Sequence, residues 1–379
     1  MPTMIEKPAI SGMSPESIST KTTHSNLVKF SKPDSFMTAL RQRTDEYFEL
    51  TKQSKRDHPR MYVKTIVILS WLMVSYVAIV FWASTWPAAV LATISLGIAM
   101  AAVGFNIQHD GGHGAYSKYQ WVNRLMAYTL DMLGGSSFIW KRTHNVIHHS
   151  YTNVTGLDGD IDLGFMGRLS PHQPCYAFHR FQHLYLWLLY GFITFKWQFR
   201  DDFQALLIGR VGKSTIPRPR GWELATFLLG KVVFLTLAFG IPLCFHAWYY
   251  VAIGFVGASF VQGLLLSIVF QLAHSVEPAD FPLPDADTHR MENSWAMHQV
   301  ETTVDFARHS WLATWFTGGL NFQIEHHLFP HICHIHYPAM SKIVEATAAE
   351  FGVRYNVHSS AFSAIQSHYR WLKAMGQPG

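Results

Sequence analysis

Twenty-two histidines are spread through 379 residues, and eight of them stand at places that suit metal ligation. His109-Asp-Gly-Gly-His113 puts two imidazoles four residues apart, one turn along a single helix face. His144-Asn-Val-Ile-His148-His149 repeats that spacing, and its extra His149 can reach a second ion. Gln323-Ile-Glu-His326-His327 forms a third group, and His274 in Gln271-Leu-Ala-His274 is a further candidate. Imidazole-rich sites take zinc, copper, iron or nickel, so ligand type alone does not choose the metal. Ligand number is more selective: seven box histidines with His274 and, as a weak ligand, Gln323 exceed one tetrahedral zinc and suit two five- or six-coordinate ions. Ligating imidazoles usually donate their second ring N–H to a carboxylate or carbonyl. Asp110, Asn153, Asp158, Asp160, Asp162, Asp305 and Glu325 are the candidates for that supporting layer. The run from Asp158 to Asp162 lacks the glycine and terminal glutamate of a calcium loop. No side chain is assigned as a general base; the catalytic group is the metal centre.

Such a site needs elements to hold it, and the composition points to lipid. Apolar residues make up 49% of the chain and charged residues 15%, below the quarter usual in soluble domains. Uncharged stretches at 65–83 and 87–105 are each long enough to cross a ~30 Å hydrocarbon layer as a helix. A second pair, 224–243 and 248–270, contains Lys231 as its one charge. The fold expected is all-α: two transmembrane hairpins, four crossings, and a helical cap holding a two-metal site. The division expected is an N-terminal segment, 1–60, with a partly flexible start as far as Asp34, followed by a membrane domain, 61–379. Eleven Lys and Arg precede residue 65 while the two short turns have none, so the positive-inside rule places both termini and the three histidine groups in the cytoplasm. Aromatic stretches at 122–140 and 184–199 are interrupted by Asp131, Gly134, Gly135 and Lys196. They are read as interfacial helices, with re-entrant segments as the alternative. Cys175, Cys244 and Cys333 have no paired spacing, and the start shows no export signal pattern.

Three histidine groups far apart in sequence but on one membrane face suit two irons that, given O2 and two external electrons, attack an unactivated methylene. The same centre could hydroxylate an acyl chain instead, which is the alternative kept open. A zinc protease fits less well, since the first box lacks the glutamate that follows the first histidine of a zincin. A metal transporter would place histidines along its crossings, and the predicted crossings contain none. The composition and the clustered charge do not suggest a nucleic-acid partner.

The HDGGH, HNVIHH and QIEHH boxes, set around two hairpins, resemble those of the membrane fatty acid desaturases. Ser137-Phe-Ile-Trp140, His148-His149-Ser-Tyr-Thr-Asn153, His326-His327-Leu-Phe-Pro and His334-Ile-His336-Tyr-Pro are similar to the delta-6-like acyl-lipid group of cyanobacteria and bacteria. The resemblance implies a non-haem di-iron enzyme that uses O2 to place a cis double bond in a long acyl chain. Gln323, where most desaturases have histidine, implies the front-end subgroup, and His274 is implied to complete the ligand set. The sequence has no His-Pro-Gly-Gly haem motif, so electrons are expected from a separate donor, ferredoxin or else cytochrome b5. Lys213, Arg218 and Arg220 are candidates for docking it.

Overall fold

The computed structural model describes residues 28–31, 35–212 and 214–378. Four helices are long and apolar enough to cross a membrane: Pro59–Trp82, Trp86–His113, Trp222–Leu243 and Trp248–His274. Each hairpin turns within a few residues, and Pro87 sits in the first turn of the second helix, where its missing N–H costs nothing. Exposed Val63, Ile66, Val67, Met73 and Val74 give the first helix an apolar outer stripe, as a lipid-facing helix requires. Exposed Trp82, Trp86, Trp248 and Tyr250 gather at the hairpin tips, while Trp121 and Trp222 mark the opposite end, the pattern of two interfacial aromatic belts. The second and fourth helices pack closely because Gly97 has no side chain; a Cβ there would lie 2.6 Å from the Ala258 carbonyl oxygen.

Two of these helices, the second and the fourth, run past the C-terminal ends expected from hydropathy, at 105 and 270. The second has 28 residues and the fourth 27, a rise of about 40 Å each against ~30 Å of hydrocarbon. Their final turns therefore stand clear of the lipid on one side, and those turns carry His109, His113 and His274.

The stretch around 184–199 follows the re-entrant alternative. Ser267 Oγ donates to the Tyr190 carbonyl at 3.1 Å, Thr194 Oγ1 donates to the Ser259 carbonyl at 3.0 Å, and Phe195 and Phe199 both meet the Phe255 ring. The segment thus follows the fourth helix from Ser267 to Phe255, about 18 Å, and a helix lying flat on the surface would cross it once. Lys231 holds this segment in place. Its ammonium donates to Asp202 Oδ2 at 2.7 Å, to the Gly134 carbonyl at 2.6 Å and to the Gln198 carbonyl at 3.2 Å, so the one charge of the apolar stretch 224–243 is paired and buried. Segment 120–127 fits the interfacial reading, with Trp121 and Leu125 exposed.

Helices Ser35–Thr51 and Tyr337–Glu350 pack together over the third histidine box, through a core that includes Phe36, Leu40, Ile324, Leu328, Val344 and Ala348. A parallel pairing of Asp305–Phe306 with Val357–His358 closes the cap. The expected flexible start falls mostly on residues 1–27 and 32–34, outside the described residues. Residues 28–31, the described part of that stretch before residue 35, meet the cap: the Lys29 N–H donates to the His289 carbonyl and the Lys29 carbonyl accepts from the Met291 N–H.

Candidate metal centre

The first box is the end of the second crossing helix, and its glycines are there for space. A Cβ on Gly111 would come within 2.6 Å of Met126 Cβ, and one on Gly112 within 2.3 Å of the Trp140 ring. Glycine in a helix costs up to about 1 kcal/mol; here it lets Trp140 lie against the box. That indole stacks on His144 at 4.5 Å between centroids and meets His109 and His113 edge-on at 5.7 and 5.3 Å. Gly114, at φ 70°, ends the helix in the left-handed conformation glycine adopts freely.

The second box departs from the α-helix assumed in reading its spacing. Residues Lys141–His148 form a π-helix, and the His149 N–H donates to the His144 carbonyl, five residues back, at 3.1 Å. An α-helix would rotate position i+5 about 140° away from position i. The widened turn brings it back, so His144, His148 and His149 all face inward, with centroid separations of 4.9 to 5.7 Å. A second π segment, Gly104–Gln108, directly precedes His109. The third box is a short helix, Gln323–Leu328, whose consecutive histidines face two neighbouring groups.

Ligand atoms of His109, His113, His144 and His326 lie within 4.8 Å of one another, as do those of His148, His274 and His327. A third set, His149 with His326 and His327, joins the two. All eight histidines are thereby brought into one buried cluster. Gln323 is there too, its amide nitrogen 3.0 Å from His274 Nε2. Side-chain nitrogens of His113, His144, His148, His149, His274 and His327 are buried with no protein partner. Buried polar atoms are almost always paired, so unpartnered nitrogens on six clustered histidines suit metal ions and nothing apolar.

The opposite ring nitrogens are held in place. His148 Nδ1 donates to Asp158 Oδ2 at 3.0 Å and His327 Nδ1 to Gln299 Oε1 at 2.8 Å, which leaves each Nε2 as a lone pair facing the cluster. The Trp295 indole N–H donates to the His149 carbonyl at 3.0 Å, and Tyr337 Oη lies 3.3 Å from His326 Nδ1. Burial, reinforced by neighbouring imidazoles, holds His149, His326 and His327 well below the ordinary histidine range, so they are neutral. Burial lowers His144 also, although Asp160 acts against it. His148 goes the other way: burial opposes its charge, but the Asp158 charge and hydrogen bond, with Asp160, outweigh that cost.

Several residues expected to support ligands do other work. Asp110 accepts from the ring Nδ1 of His334 at 3.0 Å, and Lys64 Nζ lies 3.0 Å from that ring's Nε2; Asp110 thus braces the box through His334 rather than through a box imidazole. Asp305 accepts from the Ile324 N–H at 3.0 Å and from Tyr355 Oη at 2.7 Å, and Tyr355 also reaches Glu325. Burial pushes Asp305 up to about 6, and burial together with the Asp305 charge pushes Glu325 well above the ordinary carboxylate range. Asn153, at φ 59°, donates to the carbonyls of His274, Asp280 and Thr302, tying the second box to the end of the fourth helix. Asp160 is 3.7 Å from both His144 and His148 Nδ1, too far for a hydrogen bond. Asp162 accepts from the Gly164 N–H, within its own loop. Gln299 and Thr152, whose hydroxyl donates to Gln299 Oε1, were not foreseen, because nothing local marks a partner 28 residues from its histidine.

Four membrane-length apolar helices carrying a buried histidine cluster that could hold metal define the class, an integral membrane protein with a candidate metal centre. The family model described as fatty acid desaturase matches residues 84–359. The chain is 42% identical over 363 residues to the sn-1 linoleoyl-lipid 6-desaturase of Arthrospira platensis, covering 93% of this chain and 96% of that one. It is 40% identical to the protein of the same name from Synechocystis sp., over 92% of this chain and 98% of that one. An acyl-lipid (8-3)-desaturase of Physcomitrium patens is 37% identical, over 90% of this chain and 72% of that one. The chain belongs to the fatty acid desaturase family, and it is an oxidoreductase of that family.

Proposed function

We propose that this desaturase inserts a cis double bond on the carboxyl side of an existing one, at the delta-6 position of a polyunsaturated, lipid-linked acyl chain. The single observation that carries the reading is the cluster of eight buried histidines at the ends of membrane-length helices. The names of the cyanobacterial relatives support the substrate class and position, and Gln323 beside His274 supports the front-end subgroup. Two irons are the ions that suit both the donor set and the family. His109, His113, His144 and His326 would hold one; His148, His274 and His327 the other; His149 stands between them. Such a centre supplies, when bound, the power to break unactivated C–H bonds with O2. The overall change is R–CH2–CH2–R′ + O2 + 2 e− + 2 H+ → R–CH=CH–R′ + 2 H2O, so two electrons must come from a separate carrier.

The chain's own residues orient and exclude. Asp158 and Gln299 hold His148 and His327 in the tautomer that presents Nε2, Trp140 walls one side of the cluster, and burial keeps water from the reacting carbon. The positive-inside count supports a cytoplasmic site with both termini on the same side. The membrane domain is one unit from residue 61 onward.

The test is expression in a host that makes linoleate and has a ferredoxin or cytochrome donor, with fatty acids analysed by gas chromatography and mass-spectrometric location of double bonds. A triene with its new bond at carbon 6 is expected. A hydroxylated chain, or a bond on the methyl side of the existing ones, would refute the reading.

A further inference from the structure

A cationic groove of about 640 Å³ opens on the cap beside the third box, lined in part by Arg41, Lys55, Arg56, Lys118 and His331. Among the described residues Asp45 is the only acid in its wall, and it pairs with Lys55 at 2.5 Å, so the groove keeps an excess of positive charge. Its floor is tied to the metal cluster. His331 Nδ1 donates to the main-chain carbonyl of His113, one of the box histidines, at 2.6 Å. The cations share that frame: Arg56 Nε donates to the His331 carbonyl at 3.1 Å, Cys333 N–H to the Lys55 carbonyl at 2.9 Å, and Lys118 follows His113 by five residues.

We infer that this groove is where an acidic one-electron carrier docks, with His331 bridging the docked carrier to His113. The inference rests on the separate carrier of the proposed function and assigns it a surface. The argument is charge and proximity together. A cationic concavity raises the encounter rate of an acidic partner, and from the His331 ring a single hydrogen bond and the covalent frame of His113 lead to the cluster. Each docking oxidises one reduced carrier by one electron, and two dockings supply the two electrons of a turnover. Arg218 and Arg220, on the loop before the third crossing, have no bond to a box histidine among the described residues, and Lys213 is not among those residues. A basic patch there attracts a carrier without offering it a comparable path.

The experiment uses the full chain, iron-loaded, in nanodiscs, with an acidic plant-type [2Fe–2S] ferredoxin as probe. Affinity for the ferredoxin is measured by biolayer interferometry at about 50 and about 200 mM salt, with wild type, R41E/K118E and R218E/R220E. The groove variant is expected to weaken binding at least tenfold at the lower salt, while R218E/R220E changes it less than twofold. His331→Leu is expected to slow ferredoxin-driven reduction at saturating carrier more than tenfold without changing affinity, and its iron content reports whether His113 has moved. Affinity that ignores R41E/K118E, or that falls only in R218E/R220E, would overturn the assignment. So would unchanged ferredoxin binding in R41E/K118E combined with lost retention of phosphatidylglycerol around the protein, which would make the groove a lipid-headgroup site. Dithionite-driven desaturation separates the two levels: its absence in wild type marks failure of the functional reading, whereas normal turnover with ferredoxin affinity unmoved in R41E/K118E marks failure of the groove alone.

Discussion

Asp158→Asn tests whether the tautomer of His148 is set by its carboxylate partner. Asp158 is buried and its Oδ2 accepts both from His148 Nδ1, at 3.0 Å, and from the Asn153 N–H, at 2.9 Å, while Oδ1 accepts from the Asp160 N–H at 3.0 Å. Three donors converge on it, so an asparagine amide must turn its NH2 toward one of them, at a cost of about 1–3 kcal/mol in stability. Losing the charge also makes His148 Nε2 a weaker donor. Losses of a supporting partner of this kind run at roughly ten- to a hundredfold in metal affinity, about 1.4–2.8 kcal/mol. A second effect has its own sign. The Asp158 charge raises His148 above the usual histidine range, and the imidazole must be deprotonated to bind, so wild type loses metal as pH falls through that raised value. Without the charge the acid limb moves to lower pH while the plateau affinity drops. Anaerobic titration of ferrous iron against a chromophoric chelator, from pH 5 to 8, reads both. Asp160→Asn, at 3.7 Å and partly exposed, is the control and should change affinity less than about threefold. An unchanged plateau in Asp158→Asn, or an acid limb moving upward, would refute the reasoning.

Gly112→Ala puts a Cβ 2.3 Å from the Trp140 ring; iron content should fall at least tenfold, and adding Trp140→Leu should restore part of it, both read by mass spectrometry of the purified protein. Lys231→Met leaves Asp202 buried without its cation, a loss of about 3–5 kcal/mol; the apparent melting temperature in detergent should drop sharply, and Asp202→Asn in the same chain should recover some of it. Burial pushes the Asp131 carboxyl up to about 7 from 3.8, so the folded state holds that proton more tightly than the unfolded one and stability declines as pH rises from about 4 to about 7. Asp131→Asn should flatten that decline, and parallel melting curves between pH 5 and 8 would count against it. Chelation of the bound metal should lower thermal stability by more than the Asp158→Asn substitution does, as calorimetry of metal-loaded and stripped protein would show.

The parts of the site that could be read in advance are those whose spacing is local. His109 and His113 are four residues apart and share a helix face, and the hydropathy pattern placed them at a membrane boundary. His274 is a candidate from its place just past the fourth crossing, and the resemblance implies that it completes the ligand set, but its grouping with His148 and His327 was not accessible, because their separation in sequence carries no periodic signal. What escaped was of two kinds. The π-helical turn at 141–148 has a box spacing that an α-helix also accepts, so sequence could not show that His149 turns inward with His144. Partnerships such as His327 with Gln299, Lys64 with His334 and Gly112 with Trp140 depend on which elements meet, and polar residues of those types are common on any cap. For 184–199 the sequence leaves an interfacial and a re-entrant course both open, and the contact that holds the segment, Lys231 with Asp202, joins residues 29 apart that no local pattern links.

The buried nitrogens tie the metal to the fold itself. Six histidines each present a buried ring nitrogen with no protein partner, and an unpaired buried polar atom costs about 1–3 kcal/mol. Taken together this is of the order of the whole stability of a typical domain, about 5–15 kcal/mol. Protonation gives little relief at two of the six, since His149 and His327 are held neutral by burial and by neighbouring imidazoles. The helices that deliver these nitrogens come from four distant parts of the chain, so no single segment can adjust to satisfy them. Metal binding would satisfy them at once, and at the same time it would fix the ends of the second and fourth crossings against the second and third boxes. Ions held there would act both as the reactive centre and as the fastening between the membrane hairpins and the cap, and the residues that hold the ring nitrogens are correspondingly spread across the cap rather than confined to the three boxes.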